Sequence, residues 1–329
     1  MIDIREGGYI RYVIEKQRPL WPGVSREVVV SQIETGNVGL PGSAPEQAAQ
    51  EAEERPPSPD VDITKPHVAR MWDFYLGGKH NYAVDREVAE QVLKLMPETR
   101  IGVRLNRRFL VETVRWMVEE AGVRQFLDIG SGLPTQQNVH EVAQAIDPDA
   151  RVVYVDNDPL VRVHAEALLA TDPNTIFLTG DVHDPKAVLD RPELREHLDL
   201  SKPVGLLLVA VLHFVDDNER AYEIVRTLCD ALPSGSYLAI SHALKDERTE
   251  QATAIYRQNN AGGRPRTEEE VRGFFAGLTP VGCGLTRIGE WTPPDRPNGL
   301  AESENVVALG DPAELKKLPG MCGIARIDR

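Results

Sequence analysis

Three carboxylates stand where strand-like runs end: Asp128 in "QFLDIGSG", Asp156 in "VVYVDNDP" and Asp181 in "FLTGDVHDP". Residues at the carboxyl ends of parallel strands border the crevice in which an open α/β sheet binds its ligand. Asp156, with Asn157 beside it, offers a carboxylate that accepts both hydrogen bonds of a ribose diol. Asp181 is placed to accept from an adenine amino group, and Val182 offers its backbone amide to the ring. After Asp128 comes Gly130-Ser131-Gly132, whose glycines allow a tight turn and close approach of a ligand to the backbone. The residues that follow read as a helix, whose opening amides are donors for a polar or anionic group.

A pyrophosphate fingerprint of the GxGxxG type would place its third glycine at position 135, but Thr135 stands there behind Pro134. A ligand with a carboxylate and an amine in place of the pyrophosphate suits the loop amides and Asp128 better, and S-adenosylmethionine is such a ligand. Methyl transfer from a sulfonium is an in-line displacement, in which the protein aligns a nucleophile and, where needed, removes its proton. His213, at the end of the fourth strand-like run in "VAVLHFVDD", is the candidate base, and His242 in "LAISHAL" is a second. No metal site is expected, because His140, Glu141 and His164 are scattered along separate helices.

Upstream, "DFYLGGKHNYAVDRE" combines a paired glycine with Lys79, Asn81, Tyr82 and Asp85. So many polar groups around two glycines read as a lid over the methyl donor, hinged at Gly77 and Gly78 and closed by Asn81 and Tyr82.

These residues need elements to position them. Helical spacing puts Val88, Val92, Leu93 and Met96 on one face, and then Phe109, Leu110, Val114, Met117 and Val118 on another, ending at Gly122. From Gln125 onward strand-like runs alternate with helical ones: "QFLDI", "RVVYV", "TIFLT", "VGLLLVAV" and "SYLAIS". Such a series builds a doubly wound α/β fold on a mostly parallel sheet, and "GLLLVAV" is apolar at successive positions, as a strand buried on both faces requires. Near the end, "TEEEVRGFFAGL" opens with a capping box from Thr267 to Glu270, and "LTRIGEW" with "GIARI" is expected to close the sheet as a strand pair.

Bulk properties narrow the partners. A net charge of -14 opposes tight binding to a phosphate backbone, which depends on Lys and Arg. Cys229, Cys283 and Cys322 lie far apart without CxxC spacing, which fits a reducing cytosol. The N-terminus lacks the apolar core of a signal peptide, and the longest apolar run, "VGLLLVAVL", is too short to span a bilayer. The expected partner is therefore a small-molecule acceptor, with neither nucleic acid nor membrane, and a homodimer is allowed. Residues 41–63 are rich in Pro, Ala and Glu and read as a flexible linker. They follow an appendage over 1–40 that includes a strand in "REVVVSQIE".

Five stretches carry a resemblance: "PHVARMWDFYLGGKHNYAVDRE", "VRLNRRFL", "QFLDIGSGLPTQQNVHEVAQ", "RVVYVDNDP" and "VLHFVDD". Residues from about Thr64 to the C-terminus resemble the actinobacterial S-adenosylmethionine-dependent methyltransferase family once catalogued only as a domain of unknown function. Trp72 and His80 depart from it, standing where that family usually has Tyr and Asp. The resemblance implies a class I methyltransferase fold with a seven-stranded sheet, a domain over 64–329, and a helical lid over 64–122. Arg104, Asn106 and Arg107 match the family's "R.NR" and are expected to fix the lid or meet the donor's carboxylate, with Arg104 taken as the donor-binding residue. The reading is a methyltransferase acting on a small molecule by O- or N-methylation. The alternatives are a donor-binding regulator without turnover and an NAD-dependent oxidoreductase, the latter opposed by the missing third glycine.

Overall fold

The computed structural model describes residues 3–6, 9–12, 59, 61–134, 137–169, 172–259, 262–295 and 312–328. The strand expected in "REVVVSQIE" and nearly all of the expected linker lie outside these residues. The chain divides into two compact units, Met1–Glu53 and Glu54–Arg329. In the first, β1 (Asp3–Glu6) pairs antiparallel with β2 (Tyr9–Tyr12).

The second unit opens with three helices: α1 (Val68–Leu76), α2 (Ala83–Leu95) and α3 (Thr99–Glu119). Met71 and Tyr75 of α1 pack with Val88, Ala89 and Val92 of α2, around Val103 of α3. Gly122, at φ +70, turns the chain from α3 toward the sheet, and the Val123 N–H bonds back to the Met117 carbonyl at 2.9 Å.

Five parallel strands follow with helical crossovers: β3 (Gln125–Ile129), α4 (Val139–Gln144), β4 (Arg151–Asp156), α5 (Pro159–Leu169), β5 (Thr175–Thr179), α6 (Pro185–Leu189), α7 (Pro192–His197), β6 (Gly205–Val209), α8 (Asn218–Asp230) and β7 (Tyr237–Ala243). After β7 come α9 (Glu247–Gln258), α10 (Glu268–Gly273), β8 (Thr279–Pro280), β9 (Thr286–Arg287), α11 (Pro312–Leu315) and β10 (Gly320–Arg326). The strand order is β5-β4-β3-β6-β7-β10-β8, with β10 antiparallel to β7, and β9 also on β10. The fold is thus doubly wound α/β on a mostly parallel sheet, as expected. The sheet counts eight strands instead of seven because two short strands, β8 and β9, both pair with β10. The capping box at α10 forms as read, with Thr267 N–H on Glu270 Oε2 at 2.7 Å and Glu270 N–H on Thr267 Oγ1 at 3.2 Å.

Strand parity sorts the core into two faces. Leu127, Ile129, Val153, Val155, Leu206 and Leu208 pack on one side, and Phe126, Val152, Tyr154, Leu207 and Val209 on the other with α3. Burying each such side chain is worth about 1.5–3 kcal/mol, which is why β6 reads as an unbroken apolar run and β3, after the buried Gln125, as a nearly unbroken one. The exception is Asp128, which shares the parity of Phe126 and so faces the α3 side. The strand order reverses between β3 and β6, and that reversal locates the crevice.

Candidate active site

A cavity of about 430 Å³ lies at this reversal. Its floor is the strand ends: Asp128, Gly130, Ser131 and Gly132 after β3, Asp156 and Asn157 after β4, Asp181 and Val182 past β5, and Val209, Ala210 and Val211 at β6. The three acids, the Gly-Ser-Gly turn, Asn157 and Val182 are therefore brought together as the sequence reading expected.

The loop after β3 is built differently from that reading. The Gly130 and Ser131 amides both donate to the Val155 carbonyl, at 2.8 and 3.2 Å, and the Gly132 amide donates to Asp156 Oδ2 at 2.8 Å. These amides are already used by the fold. The next helix begins only at Val139, where Asn138 and Glu141 form a reciprocal cap and the His140 amide donates to Tyr154 Oη at 2.9 Å. Gly130, at φ +74, has no room for a side chain, because a Cβ there would sit 2.4 Å from Val211 Cγ2. At Gly132, φ +67, a Cβ would meet nothing within 4 Å. The first glycine therefore serves packing, and only at the second would a side chain meet open space.

The charges in the cavity are unbalanced. Asp128 is 4% exposed, and burial pushes its carboxyl up to about 7 against the pull of the Arg107 guanidinium, with Asp156 adding to the rise. Burial also raises Asp156, although its Oδ1 accepts from the Asp158 amide at 3.0 Å and its Oδ2 from Gly132. Asp73 and Asp181 add two further acids to the lining. A cavity with this many partly desolvated carboxylates favours a cationic occupant.

The roof is α1 with the inner face of α3. Val68, Ala69, Trp72, Asp73 and Leu76 come from α1, and Val103, Asn106, Arg107 and Leu110 from α3. The α3 residues follow the i, i+3, i+4, i+7 pattern of one helical face. Arg107 Nη2 donates to the Gln137 carbonyl at 2.8 Å and holds the loop beyond Gly132. Of the three residues of the "R.NR" match, Asn106 and Arg107 line the cavity, whereas Arg104 falls off that face and is exposed, so it does not take the donor-binding place expected of it. His67, which precedes α1, also lines the cavity, with Nδ1 2.7 Å from Asp158 Oδ2.

Residues of the 64–122 segment do cover the cavity, but Gly77, Gly78, Asn81 and Tyr82 do not line it. Gly77, at φ +82, caps α1 by donating to the Phe74 carbonyl at 3.0 Å, and a Cβ at Gly78 would collide with the Asp73 carboxylate. Asp73 Oδ2 accepts from the His80 amide at 2.8 Å and from Asn81 Nδ2 at 2.7 Å. The buried Asp85 accepts from the His67 and Tyr82 amides, each at 2.8 Å, and pairs with Arg70. Those polar groups are spent on capping the turn. Trp72, one departure from the family pattern, borders the cavity. His80, the other, stacks on His164 with ring centroids 4.1 Å apart.

A second cavity of about 180 Å³ adjoins the first, since Trp72, Val103, Asn106, Ala210, Phe214 and Gly262 line both. Ala210 holds the left-handed conformation, φ +57, at this junction, with its amide on Ser241 Oγ at 2.9 Å. His213 lies in a short 3₁₀ turn beyond β6 and lines only the second cavity. Burial and the Arg266 guanidinium push its imidazole down to about 3, which makes it a weak base and corrects that expectation. His242 sits within β7, donates from Nδ1 to the Ala243 carbonyl at 2.7 Å, and accepts at Nε2 from Arg266 at 3.0 Å. Neither of its nitrogens is available as a base. Among the described residues no cluster of His, Cys, Asp or Glu could hold a metal ion.

Residues 54–327 match the S-adenosyl methyltransferase family. The chain belongs to this family. A DUF574 family protein from Streptomyces avermitilis is 38% identical, with a TM-score of 0.73, over 80% of this chain and 98% of that one. A candidate methyltransferase from Thermobifida fusca is 39% identical, with a TM-score of 0.72, over 83% of this chain and 99% of that one. No curated protein matches. The family's fold is the class I methyltransferase arrangement seen here, and its methyl donor is S-adenosylmethionine. Among the described residues no helix is long and apolar enough to cross a membrane.

Proposed function

We propose that this family member catalyses transfer of a methyl group from S-adenosylmethionine to a small-molecule acceptor, by O- or N-methylation. The observation that carries the reading is the pair of adjoining cavities, an acid-rich one at the strand ends and a more apolar one beside it, meeting at Ala210. A protein that only bound the donor would have no use for the second.

The cavity residues fit the donor. Each Asp156 oxygen already accepts one amide and keeps a lone pair for a ribose hydroxyl. Asp181, with Asn157 and Val182 beside it, takes the adenine edge. Asp128 and Arg107, of opposite charge and adjacent, take the amino and carboxylate groups at the other end. The Gly132 turn borders the open space between these ends. Gly77, Gly78, Asn81 and Tyr82 act at one remove, by holding Asp73 and α1 in place. Bound donor supplies an electrophilic methyl group. The chain's own residues orient the donor through the acids, align the acceptor in the second cavity, and exclude water with Trp72 and α1. His213 serves as a polar wall and not as a proton acceptor. The domain sufficient for this begins near Thr64.

The test is incubation with labelled methyl donor and a fractionated cell extract. Label entering low-molecular-weight material, and lost with Asp156→Ala, is expected. Label in RNA or protein refutes the small-molecule acceptor, and donor binding without turnover in any fraction refutes catalysis.

A further inference from the structure

The second cavity carries an asymmetry of charge. Its walls are apolar where Val92, Met96, Ile288 and Leu318 stand, and aromatic at Trp72 and Phe214. The ionic groups around it are mostly paired: Glu98 with Arg248, Arg264 with Glu270, and Arg257 with Asp216. The Tyr256 and Tyr75 hydroxyls share a hydrogen bond at 3.0 Å.

Arg266 is different. It is 0% exposed and donates to neutral acceptors: Asn218 Oδ1 at 2.8 Å, the Leu212 carbonyl at 2.9 Å, the Val215 carbonyl at 2.6 Å, and His242 Nε2 at 3.0 Å. No carboxylate among the described residues hydrogen-bonds it, and Glu270 is already shared between Arg264 and Asn218. A buried guanidinium with carbonyl partners keeps its field, and that field extends through His242 toward the cavity. His213, whose ring centroid is 5.5 Å from that of His242, also lines this cavity and has a buried Nδ1 with no hydrogen-bond partner.

Resting on the methyltransferase reading above, we propose that the second cavity takes a flat, apolar acceptor bearing an acidic hydroxyl, a phenol or enol, and holds it as the anion. The buried Arg266 charge, acting across the His242 imidazole that it hydrogen-bonds, supplies what a general base would otherwise supply. The proton leaves to solvent as the acceptor binds. The anionic oxygen then gives a lone pair to the methyl carbon as the carbon–sulfur bond breaks, the bond pair stays on sulfur, and the products are a methyl ether and a neutral thioether. No protein group changes protonation state.

The experiment uses the full chain saturated with S-adenosylhomocysteine, titrated separately with 4-nitrophenol, whose anion is yellow, and with nitrobenzene, its neutral counterpart. The anion's absorbance should rise on binding, and 4-nitrophenol should bind at least about tenfold more tightly than nitrobenzene. Gly102→Phe, at a helical position lining only this second cavity where a Cβ meets nothing within 4 Å, should weaken 4-nitrophenol about tenfold while leaving S-adenosylhomocysteine affinity unchanged. Ala252→Phe, on α9, gives the same test should the first variant not fold. Equal binding of nitrobenzene, loss of the yellow colour on binding, insensitivity to both variants, or no binding of 4-nitrophenol overturns the proposal. Failure of S-adenosylhomocysteine itself to bind strikes the methyltransferase reading instead.

Discussion

The Gly132 amide donates to Asp156 Oδ2 at 2.8 Å, and this bond fixes the turn after β3 to the end of β4. Asp156 thus has two tasks, since its other oxygen holds the Asp158 amide at 3.0 Å and the residue itself borders the cavity. Asp156→Ala removes acceptors from two amides at once. It should lower stability by about 1–3 kcal/mol in denaturant titration. It should also weaken S-adenosylhomocysteine binding measured by calorimetry. A folded variant with unchanged affinity contradicts the assignment.

The two glycines of the turn should respond differently. Gly130→Ala forces a Cβ to within 2.4 Å of Val211 Cγ2 at φ +74, whereas Gly132→Ala bears only the left-handed backbone penalty of about 1–2 kcal/mol. Thermal melts should show the first variant as clearly the less stable. Equal losses would mean that the β6 loop yields freely.

Asp128 makes stability depend on pH. Its folded carboxyl is raised to about 7, so between the ordinary carboxylate range and 7 the folded state binds more protons than the unfolded one. Stability from this group is present at low pH and falls as pH rises through that window. Asp128→Asn should match the wild type at acid pH and become the more stable of the two as pH approaches 7, with the gap levelling above it. Comparing the two proteins isolates Asp128 from the buried histidines, whose lowered values act in the opposite direction. A gap that does not vary with pH contradicts the assignment.

Arg107 and Arg104 offer a matched pair on one helix. Arg107→Ala should leave Asp128 without its cation and weaken S-adenosylhomocysteine binding, while Arg104→Ala, at an exposed position, should leave it unaltered. The reverse pattern in calorimetry would restore Arg104 to the site.

That contrast shows what was legible before the structure. "VRLNRRFL" was read for its residue types, and the helical period, which groups Asn106 and Arg107 with Val103 and Leu110 and leaves Arg104 out, was the signal that separates them. The five parallel strands and the acids at their ends were readable because strand burial on both faces leaves a continuous apolar run that a carboxylate visibly interrupts. Within the lid, the roles expected of Gly77, Gly78, Asn81 and Tyr82 differ from those in the structure for another reason. In "LGGKHNY", glycines and polar groups that cap a helix carry the same letters as those that meet a ligand, and only the folded chain brings Asp73 and Asp85 to receive these donors. Within the 64–122 cover, α1 does not stand out as a separate helix in the sequence because the buried Arg70 and Asp73 interrupt its apolar stripe. His213 lines the second cavity, but its basicity is depressed first by burial and then by Arg266, which is distant in sequence, and neither cause is visible in the local letters.

The most direct measurement of the central claim is calorimetric titration of the full chain with S-adenosylhomocysteine and, separately, with NAD. Saturable one-to-one binding of S-adenosylhomocysteine, abolished or strongly weakened in Arg107→Ala, and no heat from NAD is the result expected. Binding of NAD with equal or greater affinity, or S-adenosylhomocysteine binding indifferent to Arg107, would contradict the assignment of the strand-end cavity to the methyl donor.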